Sequence, residues 1–227
     1  MRDELIIPIN EKESIVITTD NIGGIGMKEQ DVVKVAYETV GYFSFRVAMM
    51  ECIAAGAKPK AVVLQNFCGE KEWTELVSGI QQGLSELGLK DIQITGSTES
   101  NFPLVQSVVG LNVIGLQSRD KKKKMVEKAR VALIGLPLVG EEVIFQADDV
   151  APLSLFYELS LLEDVVVWPV GSKGVGYELQ RLGMIGGPTR MDLQKSGGPS
   201  TSFLVVYPPE KELEIKDLSG KYYHLIT

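Results

Sequence analysis

Histidine is nearly absent from this 227-residue chain: only His224, close to the end, carries an imidazole. That excludes a His-based catalytic triad and a His-rich metal centre. Cysteine is scarce too. Cys52 and Cys68 form no CxxC pair, so neither a zinc knuckle nor a redox motif is supported. Both sit in apolar stretches, where reduced core thiols are expected. No apolar run approaches the roughly 18 residues needed to span a bilayer. The opening Met1-Arg2-Asp3-Glu4 has no apolar stretch behind a basic start, so no secretory signal is expected and the cytoplasm is the expected location. Positive charge is outweighed, with 23 Lys and Arg against 30 Asp and Glu, a net charge of −7 and a pI of about 4.9. A broad footprint for nucleic acid is therefore not expected. Any catalysis must draw on carboxylates, lysines, backbone amides and, where a metal is used, Mg²⁺.

What is present is the composition of a folded protein: 44% hydrophobic and 23% charged residues, enough for a sizeable core and incompatible with wholesale disorder. The length suits two small halves packed together. Ser14 to Thr19 is β-branched and reads as a strand ending at Asp20. Asn21 to Gly26 (N-I-G-G-I-G) reads as a glycine loop. Val40 to Gly56 is nearly all apolar and reads as a buried helix, stopped by Gly56 and Pro59. Lys60–Cys68, Asp91–Thr95 and Gln106–Leu116 read as strands, and Trp73–Leu87 as an amphipathic helix with apolar residues at i, i+3, i+4 and i+7. The run Lys121 to Lys124 has no interleaved aromatics and reads as a solvated linker. The expected domains are therefore 1–118 and 119–227. The second half is read as strand Arg130–Leu136, helix Pro152–Leu162, strand Asp164–Val170, helix Gly176–Leu182, a glycine loop over Gly183–Pro199, strand Ser202–Tyr207 and a last strand near Lys221–Ile226. Strands mixed with helices in both halves give an α/β (α+β) class.

Several residues carry potential chemistry. Asp20 followed by Gly23, Gly24, Gly26 and Lys28 fits a phosphate-handling loop, in which backbone amides cradle oxygens, Lys28 neutralises charge and Asp20 holds Mg²⁺. The same residues also fit a plain glycine turn, and the pattern matches neither a Walker loop nor GxGxxG. Arg46 and Glu51 are the only charges in the apolar helix, and buried charges need partners. Their five-residue spacing places them on different faces, so they do not pair within the helix. Glu99 lies in a Gly/Ser/Thr turn at a strand end, a place for ligand contacts or for a plain loop carboxylate. Asp148-Asp149 reads as a helix-start signal, and Lys195 to Pro199 as a second glycine loop.

Taken together, these pieces resemble the superfamily of aminoimidazole ribonucleotide (AIR) synthase, which includes thiamine-monophosphate kinase, selenophosphate synthetase and a hydrogenase-maturation carbamoyl dehydratase. Thr18-Thr19-Asp20 with its glycine loop is similar to the family's strand ending in an ATP- and metal-binding Asp. Glu51 to Pro59 (E-C-I-A-A-G-A-K-P) resembles its N/S-D-x-x-x-x-G-A-x-P helix end, and Thr95 to Ser100 (T-G-S-T-E-S) its G-G-[DE]-T turn. Ala132 to Gly140, Ser196-Gly197-Gly198 and Phe203 to Pro209 resemble segments of its second domain. Glu51 stands where members usually carry Asp, Ala48 and Met50 stand near where some carry Asn, and Ser97 replaces an acidic residue.

The resemblance implies an AIR synthase-like two-domain fold, with an N-terminal sheet pairing across a homodimer and a compact C-terminal α/β domain. It implies ATP and Mg²⁺ as cofactors, with Asp20, Glu51 and Glu99 on the metal and Gly23, Gly24, Gly26, Lys28, Gly96 and Thr98 on the nucleotide. The apolar Val40–Gly56 segment and strand Val108–Leu116 are the expected dimer surface. The implied activity is transfer of the γ-phosphate of ATP to a small molecule. The D-N-I-G-G-I-G and I-T-G-S-T-E-S-N-F stretches are most similar to a group that includes the α-ribazole kinase of cobamide salvage. An ATP-dependent ligase or dehydratase and a non-catalytic nucleotide-binding member are the alternatives. Neither a nucleic-acid nor a membrane partner is expected.

Overall fold

In the computed structural model, which describes residues 4–119, 129–184 and 191–226, the chain divides into two compact units between residues 121 and 122. The lysine run Lys121–Lys124 and Gly186, Gly187 and Pro188 of the long glycine loop lie outside the described residues.

The first unit contains strands β1 (Leu5–Pro8), β2 (Glu13–Gly23), β3 (Ile25–Gly26) and β4 (Val33–Lys34), helix α1 (Tyr37–Ala54), strand β5 (Lys58–Asn66), helix α2 (Trp73–Glu86), and strands β6 (Gln93–Thr98) and β7 (Val108–Ser118). Five strands form one sheet in the order β1-β2-β7-β5-β6. All its pairings are antiparallel except β5 with β6. Those two are joined through α2, as a parallel pair requires a crossover. Alternation along β2 buries Ser14, Val16 and Thr18, and along β7 it buries Val109, Leu111 and Val113. These residues share the face that α1 covers. Thr18 Oγ1 donates to Ala48 O at 2.6 Å, fixing α1 against β2.

The apolar segment forms a buried helix, as its composition predicts: Val40, Phe45, Ala48, Met49, Met50 and Cys52 are sealed from solvent. α1 packs inside its own unit, so its apolar residues are not open to a second copy. Only the far face of β7, through Asn112, Ile114 and Leu116, stays half-buried. Arg46 is fully buried. It hydrogen-bonds Tyr42 and feels the charge of Glu86, whose carboxylate accepts the Tyr42 hydroxyl at 2.8 Å. Burial pushes the Tyr42 phenol up to about 12. Arg46 therefore draws on Tyr42 of its own helix and on the charge of Glu86 on α2. Both cysteines are free and buried.

Two expectations about boundaries change. β2 extends through Asn21, Ile22 and Gly23, because β7 goes on pairing out to Val108 opposite Gly23. The short run Leu5–Pro8, unremarked in the sequence, pairs with β2 as an edge strand.

The second unit contains β8 (Arg130–Ile134), α3 (Glu142–Phe145), α4 (Leu153–Leu161), β9 (Val166–Pro169), α5 (Gly174–Arg181), β10 (Phe203–Tyr207), α6 (Glu212–Ser219) and β11 (Tyr223–Leu225). Its sheet is antiparallel in the order β11-β8-β10-β9. β10 is buried on both faces. Val131, Leu133, Leu204 and Val206 pack with Val175 and Leu179 of α5, while Phe203 meets Phe156 of α4 edge-on at 4.9 Å on the other side. The sequence missed α3 and α6, whose eight or fewer residues are too short for a clear period. Asp148 and Asp149 lie in a 3₁₀ turn ahead of α4. Among the described residues no helix is long and apolar enough to cross a membrane.

The contact between α1 and α2 has no room for side chains at two glycines. A Cβ on Gly41 would lie 2.2 Å from Leu76 O, and one on Gly79 would lie 2.0 Å from Glu38 O. Gly79→Ala is therefore expected to force the helices apart and cost about 2 kcal/mol. Urea unfolding should show a lower midpoint; an unchanged midpoint would refute backbone-to-backbone packing at this crossing.

Candidate functional site

The end of β2, the carboxyl ends of the parallel pair β5 and β6, and the start of β7 meet at one end of the five-stranded sheet. Strand carboxyl ends are where loops can converge on a ligand. Here they enclose a cleft of about 740 Å³. Lys28 and Glu29 line it from the glycine segment, Phe67 to Glu70 from the loop after β5, and Glu99, Ser100 and Phe102 to Val105 from the segment before β7. One wall is apolar. The charged lining is Lys28 against Glu29, Glu70 and Glu99, so the cleft repels a bare polyanion.

Buried Asn66, at the end of β5, shapes two of these loops. Its amide donates to Gly69 O at 2.7 Å and to Thr98 Oγ1 at 3.1 Å, and its Oδ1 accepts the Cys68 N–H at 2.8 Å. Glu99 N donates back to Asn66 O at 2.8 Å. Glu99 Oε1 accepts the N–H groups of Asn101 and Phe102, at 2.7 and 3.2 Å, closing its own turn.

The expected nucleotide contacts separate into two kinds. Lys28 lines the cleft, with Nζ donating to Phe67 O at 3.1 Å. The glycines shape the chain. Gly23 lies in the β2–β7 ladder opposite Val108. Gly24, at φ +72°, donates its N–H to Ser107 O at 2.8 Å, so that amide is not open to a phosphate. A Cβ on Gly26 would fall 2.5 Å from Ser107 Oγ. On Gly96 it would fall 1.9 Å from Leu64 O, and Thr98 serves as a partner of Asn66.

The three expected metal ligands are not gathered. Asp20 pairs with Leu111 and shares the α1-facing side of β2 with Thr18. Burial pushes its carboxyl up to about 7 against the one Asn21 N–H that favours the charged form. Glu51 precedes Cys52, which packs on Gly115 opposite Val16. Val16 is seven residues from Gly23, roughly 23 Å of extended strand away from the cleft. Only Glu99 is in the cleft. Among the described residues no three His, Cys, Asp or Glu side chains come together as a cation site. Of the altered positions, Ala48 and Met50 are fully buried and Ser97 is exposed.

The sequence reading missed Asp31. This buried carboxylate accepts the Ser107 N–H and the Ser107 hydroxyl, both at 2.7 Å, and the Lys28 N–H at 2.8 Å. Burial would raise its pKa, but these bonds and the charge of Lys34 outweigh it and hold the carboxyl below its usual range. The Ser107 hydroxyl also meets Tyr37 Oη at 3.0 Å. The one available signal was an Asp three residues after Lys28, a spacing that closes turns.

A family model described as AIR synthase related protein, N-terminal domain, matches residues 1–117. No curated protein sequence matches. Solved structures with the same fold include tt0281 from Thermus thermophilus, at 16% identity and TM-score 0.62, over 94% of this chain and 81% of that one. The HypE-HypF complex aligns at 15% identity and TM-score 0.64, over 97% and 85%. T. maritima PurL complexed with ATP aligns at 14% identity and TM-score 0.59, over 97% of this chain but 41% of that one.

The raised pKa of Asp20 has a consequence for stability. The folded chain holds that proton more tightly than the unfolded chain between the ordinary carboxyl value of 3.8 and about 7. Rising pH across this window therefore lowers stability. Asp20→Asn is expected to match the wild type in melting temperature near about pH 4 and to exceed it near about pH 8, in buffer with EDTA. Equal melting curves at both pH values would show that Asp20 ionises freely.

Proposed function

The chain belongs to the AIR synthase-related family, and from that premise we propose that it is an ATP-using enzyme that transfers the γ-phosphate of MgATP to a small-molecule acceptor. The observation that carries this reading is the cleft at the strand ends, where Lys28 and Glu99, both singled out by family motifs, line one cavity. Structures with this fold include PurL complexed with ATP and HypE in complex with ATP, which supports nucleotide use here.

The fit differs for the two cofactors. A cleft of about 740 Å³ with one lysine is suited to a nucleotide-sized ligand. The carboxylates do not assemble a resident Mg²⁺ site among the described residues, so no step is derived through one. Three glutamates in the lining instead favour ATP that arrives already complexed with Mg²⁺, its charge partly neutralised. Phosphoryl transfer asks mainly for positioning and charge stabilisation. The acceptor hydroxyl oxygen bonds to the γ-phosphorus, the bond to the β,γ-bridging oxygen breaks to release ADP, and the hydroxyl proton leaves to a cleft carboxylate. Lys28 stabilises charge on the transferring group. The apolar wall of Phe67, Phe102 and Leu104 holds the acceptor and excludes water.

Within this reading the acceptor is a nucleoside-like hydroxyl, as in the α-ribazole kinase group, and the unit acts as a homodimer. Exposed Leu5, Ile6 and Ile7 on edge strand β1 favour pairing with a second copy. ATP-dependent amide or carbamoyl activation is the second reading, favoured by the family's ligases and dehydratase. Identifying the phosphorylated product separates the two.

Calorimetric titration with a non-hydrolysable ATP analogue, with and without Mg²⁺, tests the proposal. Binding is expected with Mg²⁺ and to weaken about tenfold or more in Lys28→Ala, as loss of a charge-assisted contact implies. No binding by the wild type under either condition would overturn an ATP-using function and leave a family fold put to another use.

A further inference from the structure

Two opposing walls of the cleft come from segments far apart in sequence, the loop of Lys28 and Glu29 and the segment of Phe102 to Val105. They are joined at three points. Gln30 N donates to Val105 O at 3.3 Å and Gln106 Nε2 donates to Gln30 O at 2.8 Å, both near the surface. The third point is Asp31, and it is buried, as are Ser107 and Tyr37 around it. Asp31 Oδ1 takes the Ser107 N–H; Oδ2 takes both the Ser107 hydroxyl and the Lys28 N–H. One carboxylate therefore ties the residue that opens β7 to the backbone of the cleft lysine.

The surroundings leave this knot little freedom. Gly26 has no space for a side chain, with Ser107 Oγ and Asp31 Oδ2 at 2.5 and 3.0 Å from the position of a Cβ. Lys34 Nζ donates to the backbone oxygens of Lys28 and Glu29. Lys28 then spans the cleft floor to Phe67 O. Hydrogen bonds to a buried charged group are stronger than neutral ones, and removing the acceptor leaves its donors unsatisfied.

We propose that Asp31 is the positioning residue of the cleft: it holds the Lys28 loop against the start of β7 and so sets where the Lys28 ammonium stands. The inference rests on the ATP-using function proposed above, but its geometric half is testable without it. Asp31 touches no ligand in this scheme; it acts through Lys28.

The experiment compares wild type, Asp31→Asn and Ser107→Ala. Asp31→Asn preserves size, removes the negative charge and replaces one carboxylate oxygen by an amide nitrogen, so one of the two N–H donors, of Ser107 or of Lys28, loses its acceptor. Ser107→Ala removes the hydroxyl's bonds to Asp31 and Tyr37 but keeps both backbone N–H donors on the carboxylate, so it remains informative if the first variant folds poorly. Lysine acylation is followed by peptide mass spectrometry, with Lys58 and Lys60 on β5 as internal references. Lys28 is expected to react several-fold faster in Asp31→Asn, and to a smaller degree faster in Ser107→Ala, with the references unchanged. Titration with Mg²⁺ and the ATP analogue is expected to show about tenfold weaker binding in Asp31→Asn, with no further loss when Lys28→Ala is added. Unchanged Lys28 labelling, equal acceleration at Lys58 and Lys60, or additive losses in the double variant would each overturn the proposal. If the wild type binds no analogue, the ATP-using function falls, while the labelling still decides whether Asp31 positions Lys28.

Discussion

The β2–β7 ladder runs from Glu13 opposite Ser118 to Gly23 opposite Val108, the full 11 residues of each strand, and the candidate site depends on where that ladder stops. A slip of one residue would turn Val16 and Thr18 away from α1 and bring Ile15 and Ile17 inward. With the observed register, Gly23 and Val108 end together. Gly24 can then bond Ser107, and Asp31 can reach back to the same serine. β5 pairs with the other edge of β7 and delivers Asn66 opposite Val109. The three cleft loops thus start from positions set by strand pairing, and the bonds among them through Asp31, Asn66 and Lys28 complete the placement. This explains how loops rich in glycine and polar residues can hold a defined cavity: their anchors are backbone ladders with buried faces, and only the tips are free of the sheet.

Buried polar groups do different jobs in this unit. Asn66 and Asp31 are satisfied on nearly every acceptor the structure records, and they bind loops to the sheet end. Such satisfied groups rigidify. Asp20 is the contrast. It shares the helix-facing side of β2, and burial there disfavours its charge, with a single Asn21 N–H opposing. Carboxylates strained in this way recur at functional sites. Arg46 is a third case. Fully buried on α1, it finds Tyr42 on its own helix and Glu86 on α2, which makes it part of the helix contact rather than of the cleft.

Much of the fold was legible because most long elements have clear patterns. The β-branched Ser14–Thr19 run, the apolar α1 segment and the amphipathic α2 segment each announce themselves through one period or one composition. What was illegible was short or relational. Nothing local says that Leu5–Pro8 will find β2, or that α3 and α6 will form. The site was half legible for the same reason. Lys28 and Glu99 were named from motifs, and the sheet does bring both to one cleft. Gly24 and Gly26 were named as phosphate contacts, yet what the chain shows at both depends on Ser107, about eighty residues away in sequence: Gly24 turns at positive φ to donate its N–H there, and Gly26 leaves room for the serine hydroxyl. Asp31 escaped because its partners are Lys28, in the same loop, and that same distant serine. Glu51 was grouped with Asp20 and Glu99 by family position, whereas α1 carries it away from the sheet end where the cleft lies.

The altered positions make a physical pattern. Ala48 and Met50 are not loop residues that lost a ligand role; they are core, with Ala48 O accepting the Thr18 hydroxyl. A polar side chain at either position would need a buried partner there, since an unsatisfied polar group costs roughly 1–3 kcal/mol. Ala48 closes the α1–β2 contact without such a partner, and Met50 fills the core. With Glu51 far from Glu99, the described residues gather no three-carboxylate centre within one chain. In the ATP-using function proposed above, the remaining charges of the cleft, one lysine against three glutamates, would set the selection rule. A bare triphosphate meets net repulsion, a magnesium-complexed one much less. The burden of placing the single favourable charge falls on the Lys28 loop, and that loop is held at its base by one buried carboxylate.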